Sequence, residues 1–150
     1  MMATIFLTIQ NIKPMPPQIR AIIAVLSGVS LGYAIIYAFQ ILGPYHPPEG
    51  IGLQNGQAYN IWVSQLSTEA YIYFLVSFLI AALIGGALSG YLVLRTRYEV
   101  ASLMTGFLLM ILAIGSFLAF NHPEWLSYSA CIGFLLFAWI GGYIVRKLVR

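Results

Sequence analysis

Four stretches of the chain, residues 19–42, 70–94, 100–120 and 126–145, are apolar nearly without interruption, and polar residues gather in the gaps between them. Each approaches or exceeds the ~20 residues that a helix needs to cross a hydrocarbon core ~30 Å thick. Their hydrophobicity is continuous rather than alternating. In lipid every backbone amide must be satisfied, so such segments read as helices and not as the strands of a barrel. The pattern predicts an all-α integral membrane protein, a single transmembrane domain over residues 1–150 folded as a four-helix bundle. Residues 1–18 open with "MMATIFLTIQNI", apolar but too short to span, and the prolines of "KPMPPQIR" end any helix there. An interfacial N-terminal segment is expected. The first span is too long for a signal peptide and lacks a small-residue cleavage site before a polar domain, so it is expected to stay in the mature protein. Residues 43–69 form the one sizeable loop, where "GQAYNIWVSQLS" places Tyr59, Ile61, Trp62 and Leu66 as a short amphipathic helix would. Trp62 and Trp125 are expected to anchor at the outer interface, where indoles concentrate.

Charge adds orientation to this pattern. Lys13 and Arg20 precede the first span, Arg95 and Arg97 lie between the second and third, and Arg146, Lys147 and Arg150 close the chain. With four spans all seven fall on one side, and retained Lys and Arg mark the cytoplasmic side. Both termini are therefore expected in the cytoplasm. Arg20, Arg95, Arg97, Arg146 and Lys147 become the topology determinants and the candidates for contact with lipid head groups.

Composition narrows the class further. Of 150 residues, 61% are hydrophobic and 7% charged, against about a quarter charged in ordinary soluble domains. The formal charge of +3 lies beside apolar runs rather than on a stripe, which points to membrane orientation and away from nucleic acid. The one cysteine, Cys131, excludes an internal disulfide and any Cys-x-x-Cys motif.

Small residues recur one turn apart. Gly28 and Gly32 do so in the first span, Ala82, Gly86 and Gly90 in the second, and Ala138 and Gly142 in the fourth. Together with Gly85 and Gly141 they are expected to let helix backbones approach closely, packing the protein's own four helices. The segments Ala82-Leu83-Ile84-Gly85-Gly86 and Ala138-Trp139-Ile140-Gly141-Gly142 resemble each other. The chain reads as two hairpins, 20–96 and 97–150, duplicated in parallel about an axis along the membrane normal.

Candidate chemistry is sparse. Two His-Pro-Glu corners, "PYHPPEG" and "NHPEW", fall on the same side of the membrane, and His46, Glu49, His122 and Glu124 are ligand types suited to zinc or iron. Proline beside each histidine and a carboxylate beyond it is also what a turn at the bilayer surface looks like, and that reading is preferred. Every Glu, Lys, Arg and His falls near a span end, so a proton-coupled antiporter of the small four-helix multidrug type lacks the membrane glutamate it needs. The polar residues left within or at the ends of spans are Ser27, Ser30, Gln40, Ser77, Ser89, Thr105, Ser116 and Asn121. Hydroxyls in such positions normally bond to the carbonyl one turn back. In the turn of residues 95–99, two topology arginines and a helix-capping Glu99 account for the sequence better than an active site does.

The outer loop resembles that of small uncharacterised bacterial four-span membrane proteins carrying a Pro-Pro-x-Gly motif, followed by a second span with spaced glycines. The matching residues are Pro47, Pro48, Glu49 and Gly50, then Gly85, Gly86 and Gly90. Where that group has an acidic residue after the loop glycine and a histidine in the second span, this chain has Gly52 or Leu53 and Ala81 or Ala82. The resemblance implies a multi-pass protein of the bacterial inner membrane and no particular activity.

Sequence alone thus leads to a non-catalytic membrane protein without cofactor. Its expected role is an accessory, scaffold or assembly subunit, packing in the lipid bilayer against other membrane proteins or copies of itself. The alternative is a small-solute or lipid-binding transporter or channel, whose mark would be a cavity between spans. A membrane enzyme or metal-binding protein working through the outer corners comes third.

Overall fold

A computed structural model describes residues 16–51, 55–93 and 98–149. Among these the chain is all helix: α1 (Pro17–Leu42), α2 (Gly56–Ser64), α3 (Thr68–Leu92), α4 (Tyr98–Ala119) and α5 (Glu124–Leu148). Helices α1, α3, α4 and α5 are long and apolar enough to cross a membrane, which makes this a multi-pass membrane protein in contact with lipid. Helix α5 runs beyond the expected end at residue 145, carrying Arg146 and Lys147 in its last turn. Cations there suit the negative end of the helix dipole. The N-terminal segment expected at the interface falls largely in residues 1–15, outside the described residues, as do Arg95 and Arg97.

Helix starts follow from local chemistry. Pro17 opens α1, where its missing N–H is no loss. The Ser67 hydroxyl accepts from Ala70 N at the start of α3, and Asn55 Oδ1 accepts from Ala58 N at the start of α2. Three of the four glutamates, Glu69, Glu99 and Glu124, lie in first helical turns, where the dipole favours a carboxylate.

The four long helices alternate in direction. The start of α1, the end of α3, the start of α4 and the end of α5 share one end of the bundle, here termed the basic end after Arg20, Arg146 and Lys147. The opposite loop end carries residues 43–51, 55–67 and 120–123. At the basic end the Arg20 Nε donates to the Leu92 carbonyl at 2.6 Å, tying α1 to the end of α3. Arg146 donates to the Tyr98 hydroxyl at 2.7 Å, and Tyr98 donates in turn to Glu99, tying α5 to α4. The Arg146–Glu99 pair itself is long at 3.6 Å and exposed, so it adds little.

Helices α3 and α5 form the most extensive pairing, and α1 and α5 do not meet. A methyl on Gly86 would overlap the backbone of Ala138, and one on Gly90 would sit 2.9 Å from Gly142 Cα. Equal steps along both chains mean that α3 and α5 run parallel, with the two similar Gly-Gly segments at the same depth. The hairpins differ elsewhere: α4 packs on α3 as well as on α5, whereas α1 packs on α3 and α4 alone.

Gly28 and Gly85 complete the close approach on the other side of α3. A Cβ on Gly28 would lie 2.6 Å from the Gly85 carbonyl oxygen, and one on Gly85 equally close to that of Gly28. Water drives no association between helices in lipid, so contact must come from packing, and packing this close needs glycine. Ala24, Ala81, Ala82 and Ala138 are fully buried along the same seams, and Phe134 fills the centre between α3, α4 and α5. Ser102 Oγ donates across from α4 to Gly86 O at 2.9 Å. Thr105, Ser77 and Ser89 bond back into their own helices.

Candidate functional site

At the loop end the helices stand apart, and the space between them forms a cleft. Its upper chamber has a volume of about 450 Å³ and receives side chains from every part of the chain that reaches this end. The last turns of α1 bring Tyr37, Gln40 and Ile41, and the following loop Tyr45 and His46. Helix α2 brings Tyr59, Trp62 and Val63, α3 brings Phe74 and Phe78, α4 brings Ser116, and the loop before α5 brings His122. A second chamber of about 330 Å³ continues between α1 and α4, lined by Tyr33, Ile36, Leu109, Leu112, Ala113 and Phe117 among others. The chambers share Tyr37, Gln40, Tyr59, Phe78 and Ser116 and form one bent cleft.

Helix α2 roofs this cleft and is held at two points. Tyr71 donates its hydroxyl to the Val63 carbonyl at 2.6 Å, and Val63 is buried beneath it. Asn60 Oδ1 accepts from Asn121 N at 2.8 Å, so the roof joins the first loop to the second. Tyr59 meets the Phe120 ring edge-on at 4.7 Å and lies 5.3 Å from the Trp62 ring, within the range of favourable aromatic pairs. Burial raises the Tyr59 phenol above its ordinary value, so it stays a neutral hydroxyl.

The two histidines are held alike. His122 Nδ1–H donates to Phe120 O at 3.0 Å, and His46 Nδ1–H donates to Gly43 O at 3.3 Å. A carbonyl only accepts, so Nδ1 carries the proton, and in the neutral ring Nε2 presents a bare lone pair. Burial pushes the His122 imidazole below its ordinary value, opposed by its bond to Phe120. Its ring also packs edge-on against Phe117 at 5.3 Å.

Of the four residues considered as metal ligands, the fold brings His46 and His122 to the same chamber and leaves Glu49 and Glu124 exposed and outside its lining. Among the described residues no three His, Cys, Asp or Glu side chains gather as a metal site would need. Trp125 is 41% exposed at the start of α5, whereas Trp62 is half-buried against the cleft. Lys147 lies over the Tyr143 ring at 4.9 Å, at the far end of the molecule. The glycines at 28, 32, 85, 86, 90, 141 and 142 all face a neighbouring helix or its side chains.

Sequence reasoning passed over one close contact and two cleft residues. Gly106, where a Cβ would lie 2.5 Å from Phe134 O, follows Ser102 by four residues, a spacing that reveals itself once serine is counted as small. Gln40 and Ser116 stood out only as polar residues of spans. Here both enter the cleft, and neither side chain has a hydrogen-bond partner among the described residues. Gln40 is half-buried and Ser116 exposed, and among the described residues no buried side-chain polar atom lacks a partner, so both groups reach the open space of the cleft. The cleft thus offers stacking surfaces, an apolar extension and a handful of neutral polar groups open to a ligand.

Comparison of the chain with models of protein families, with curated proteins and with solved structures finds no match.

Proposed function

We propose that this is a non-catalytic binding protein of the bacterial inner membrane, with its basic end in the cytoplasm, that holds a small amphipathic molecule in the loop-end cleft. The observation that carries this reading is the 450 Å³ chamber itself, with its aromatic walls, few polar groups and apolar extension between spans. Such a lining is typical of small-molecule sites, where apolar walls supply affinity and a few polar atoms fix orientation. The orientation rests on Arg20, Arg146 and Lys147 sharing one end, as the positive-inside rule requires of cytoplasmic ends.

This choice places binding ahead of the accessory-subunit role. Large apolar side chains are exposed on all four spans, for example Ile22, Ile72, Met104 and Ile132, and the bilayer alone accounts for them. Among the described residues no one helix face stands out as the seat of a protein partner.

The test is mass spectrometry of protein purified in mild detergent. A bound small molecule at near-equimolar amount is expected, and its loss in Ser116→Trp, whose indole would occupy the junction of the chambers. Native protein free of any such molecule, under conditions that keep it folded, would remove the binding function.

A further inference from the structure

We infer that the cleft takes a single-chain neutral lipid whose head carries hydroxyl groups, entering sideways from the bilayer through the slot between α1 and α4. This rests on the binding function proposed above and adds the route and the chemistry of the ligand.

The route follows from the walls of the lower chamber. Tyr33 and Tyr37 on α1 and Leu112 on α4 line it and are each more than half exposed, so the chamber opens on the lipid-facing side of the bundle. At Gly115, also on its wall, a Cβ would meet nothing within 4 Å. A chain can lie there against Leu109, Leu112 and Ala113 without leaving an apolar environment, so no hydrocarbon need cross water.

The head group follows from charge and proton count. Among the described residues lining the two chambers none is Asp, Glu, Lys or Arg. A charged head taken from water would find no counter-charge, and burying an unpaired ion is far costlier than burying a neutral polar group. The polar groups that await it are mainly acceptors or dual in character. His122 and His46 line the upper chamber with their Nδ1 protons spent on Phe120 O and Gly43 O, so in the neutral ring each Nε2 can only accept. The Gln40 amide and the Ser116 hydroxyl are free to both donate and accept. Bare imidazole nitrogens need a donor from the ligand. A hydroxyl supplies one and accepts in return, whereas an ester or ketone oxygen only accepts and leaves them unpaired. The lower chamber, about 330 Å³ beside an upper one of about 450 Å³, has room for one chain next to its head, which favours a monoacylglycerol-like or alcohol-headed molecule over a two-chain phospholipid.

Trp62 lines the upper chamber and serves as the reporter. With Trp125→Phe and Trp139→Phe in place, the protein is reconstituted in phosphatidylcholine bilayers. These are doped with one of three lipids brominated close to the head: a monoacylglycerol, its diacetylated form, or an anionic lysophosphatidate. The monoacylglycerol is expected to quench Trp62 saturably, with an apparent affinity roughly tenfold above the other two, as one or two extra hydrogen bonds would give. Ala113→Phe, which narrows the slot, should remove the saturable phase while leaving bulk quenching in place. Equal saturable quenching by all three overturns the hydroxyl assignment, and a preference for the lysophosphatidate overturns neutrality. Saturable quenching that survives Ala113→Phe overturns the lateral route. If all three quench only in proportion to their bulk amount while a water-soluble molecule still co-purifies, the lipid inference falls and the binding function stands. If nothing co-purifies either, both fall.

Discussion

The two ends of one bundle are built by the same four helices and packed by opposite rules. Toward the basic end, α3 lies between α1 and α5 with Gly28 against Gly85 and Gly86 against Ala138, backbone on backbone. Toward the loop end, α1 and α4 carry Tyr33, Tyr37, Leu112 and Phe117, and a methyl on Gly115 would touch nothing. In water the apolar side chains of the second region would collapse together. In lipid there is no such drive, so helices close up only where small side chains let backbones meet, and large ones hold them apart. The comparison shows how one chain makes a rigid clamp and a hollow from residue size alone, and it places the hollow where the loops can add polar groups.

The strongest way to break the comparison is to put a large side chain into the clamp. In Gly141→Leu the new side chain must start on the Leu83 carbonyl and within 2.9 Å of Ala87 N, with backbone on both sides and nothing flexible to yield. We expect a cost above about 3 kcal/mol, beyond the usual range for overpacking. Folded protein should be largely lost, seen as an aggregated elution profile in detergent. Folding at normal yield would mean that the clamp is not tight.

The next largest effect concerns the roof. Tyr71→Phe removes the hydroxyl that donates to Val63 O and leaves that carbonyl only its backbone bonds, such as the one from Leu66 N. A loss of about 1 kcal/mol is expected. Faster amide exchange should be confined to residues 56–64, with the helices at the basic end unchanged. Uniform loosening along the bundle would show that the two ends are not independent.

The smallest expected effect is on pH dependence. Burial holds the His122 ring below its ordinary value, so the folded state prefers it neutral. The stability this contributes is present above the unfolded value, about 6.5, and is lost as pH falls through the folded value. A melting temperature that declines below about pH 6.5 is expected, with the decline reduced in His122→Gln. A melting temperature that instead rises on acidification would contradict the burial.

How much of this could be read from the chain depends on range. The spans follow from bilayer thickness, a constraint acting on each segment by itself, and the helices at 17–42, 68–92, 98–119 and 124–148 lie within a few residues of the apolar runs. Helix α2 was visible in the spacing of Tyr59, Ile61 and Trp62 for the same local reason, although it ends at Ser64, short of Leu66. The clamp was half legible, because glycine spacing reveals a close approach without saying to which helix. The cleft was not legible, because it depends on how α1 and α4 splay and on His46 and His122 arriving at one chamber from different loops. Each histidine alone looked like part of a turn. Trp62 shows the same limit: an indole on a short loop helix suggests an interface anchor, and only the fold shows that it also lines a cavity.

The claim that one end is closed and the other hollow is tested most directly by a single methyl placed at each. Alanine gains ~1 kcal/mol over glycine within a helix, so where there is space Gly115→Ala should raise the melting temperature in detergent. Gly86→Ala gains the same propensity but must displace Ala138, at a cost of ~1–3 kcal/mol, and should lower it. Opposite signs are the expected result. Equal shifts in the same direction would contradict the division of the bundle into a clamp and a cleft.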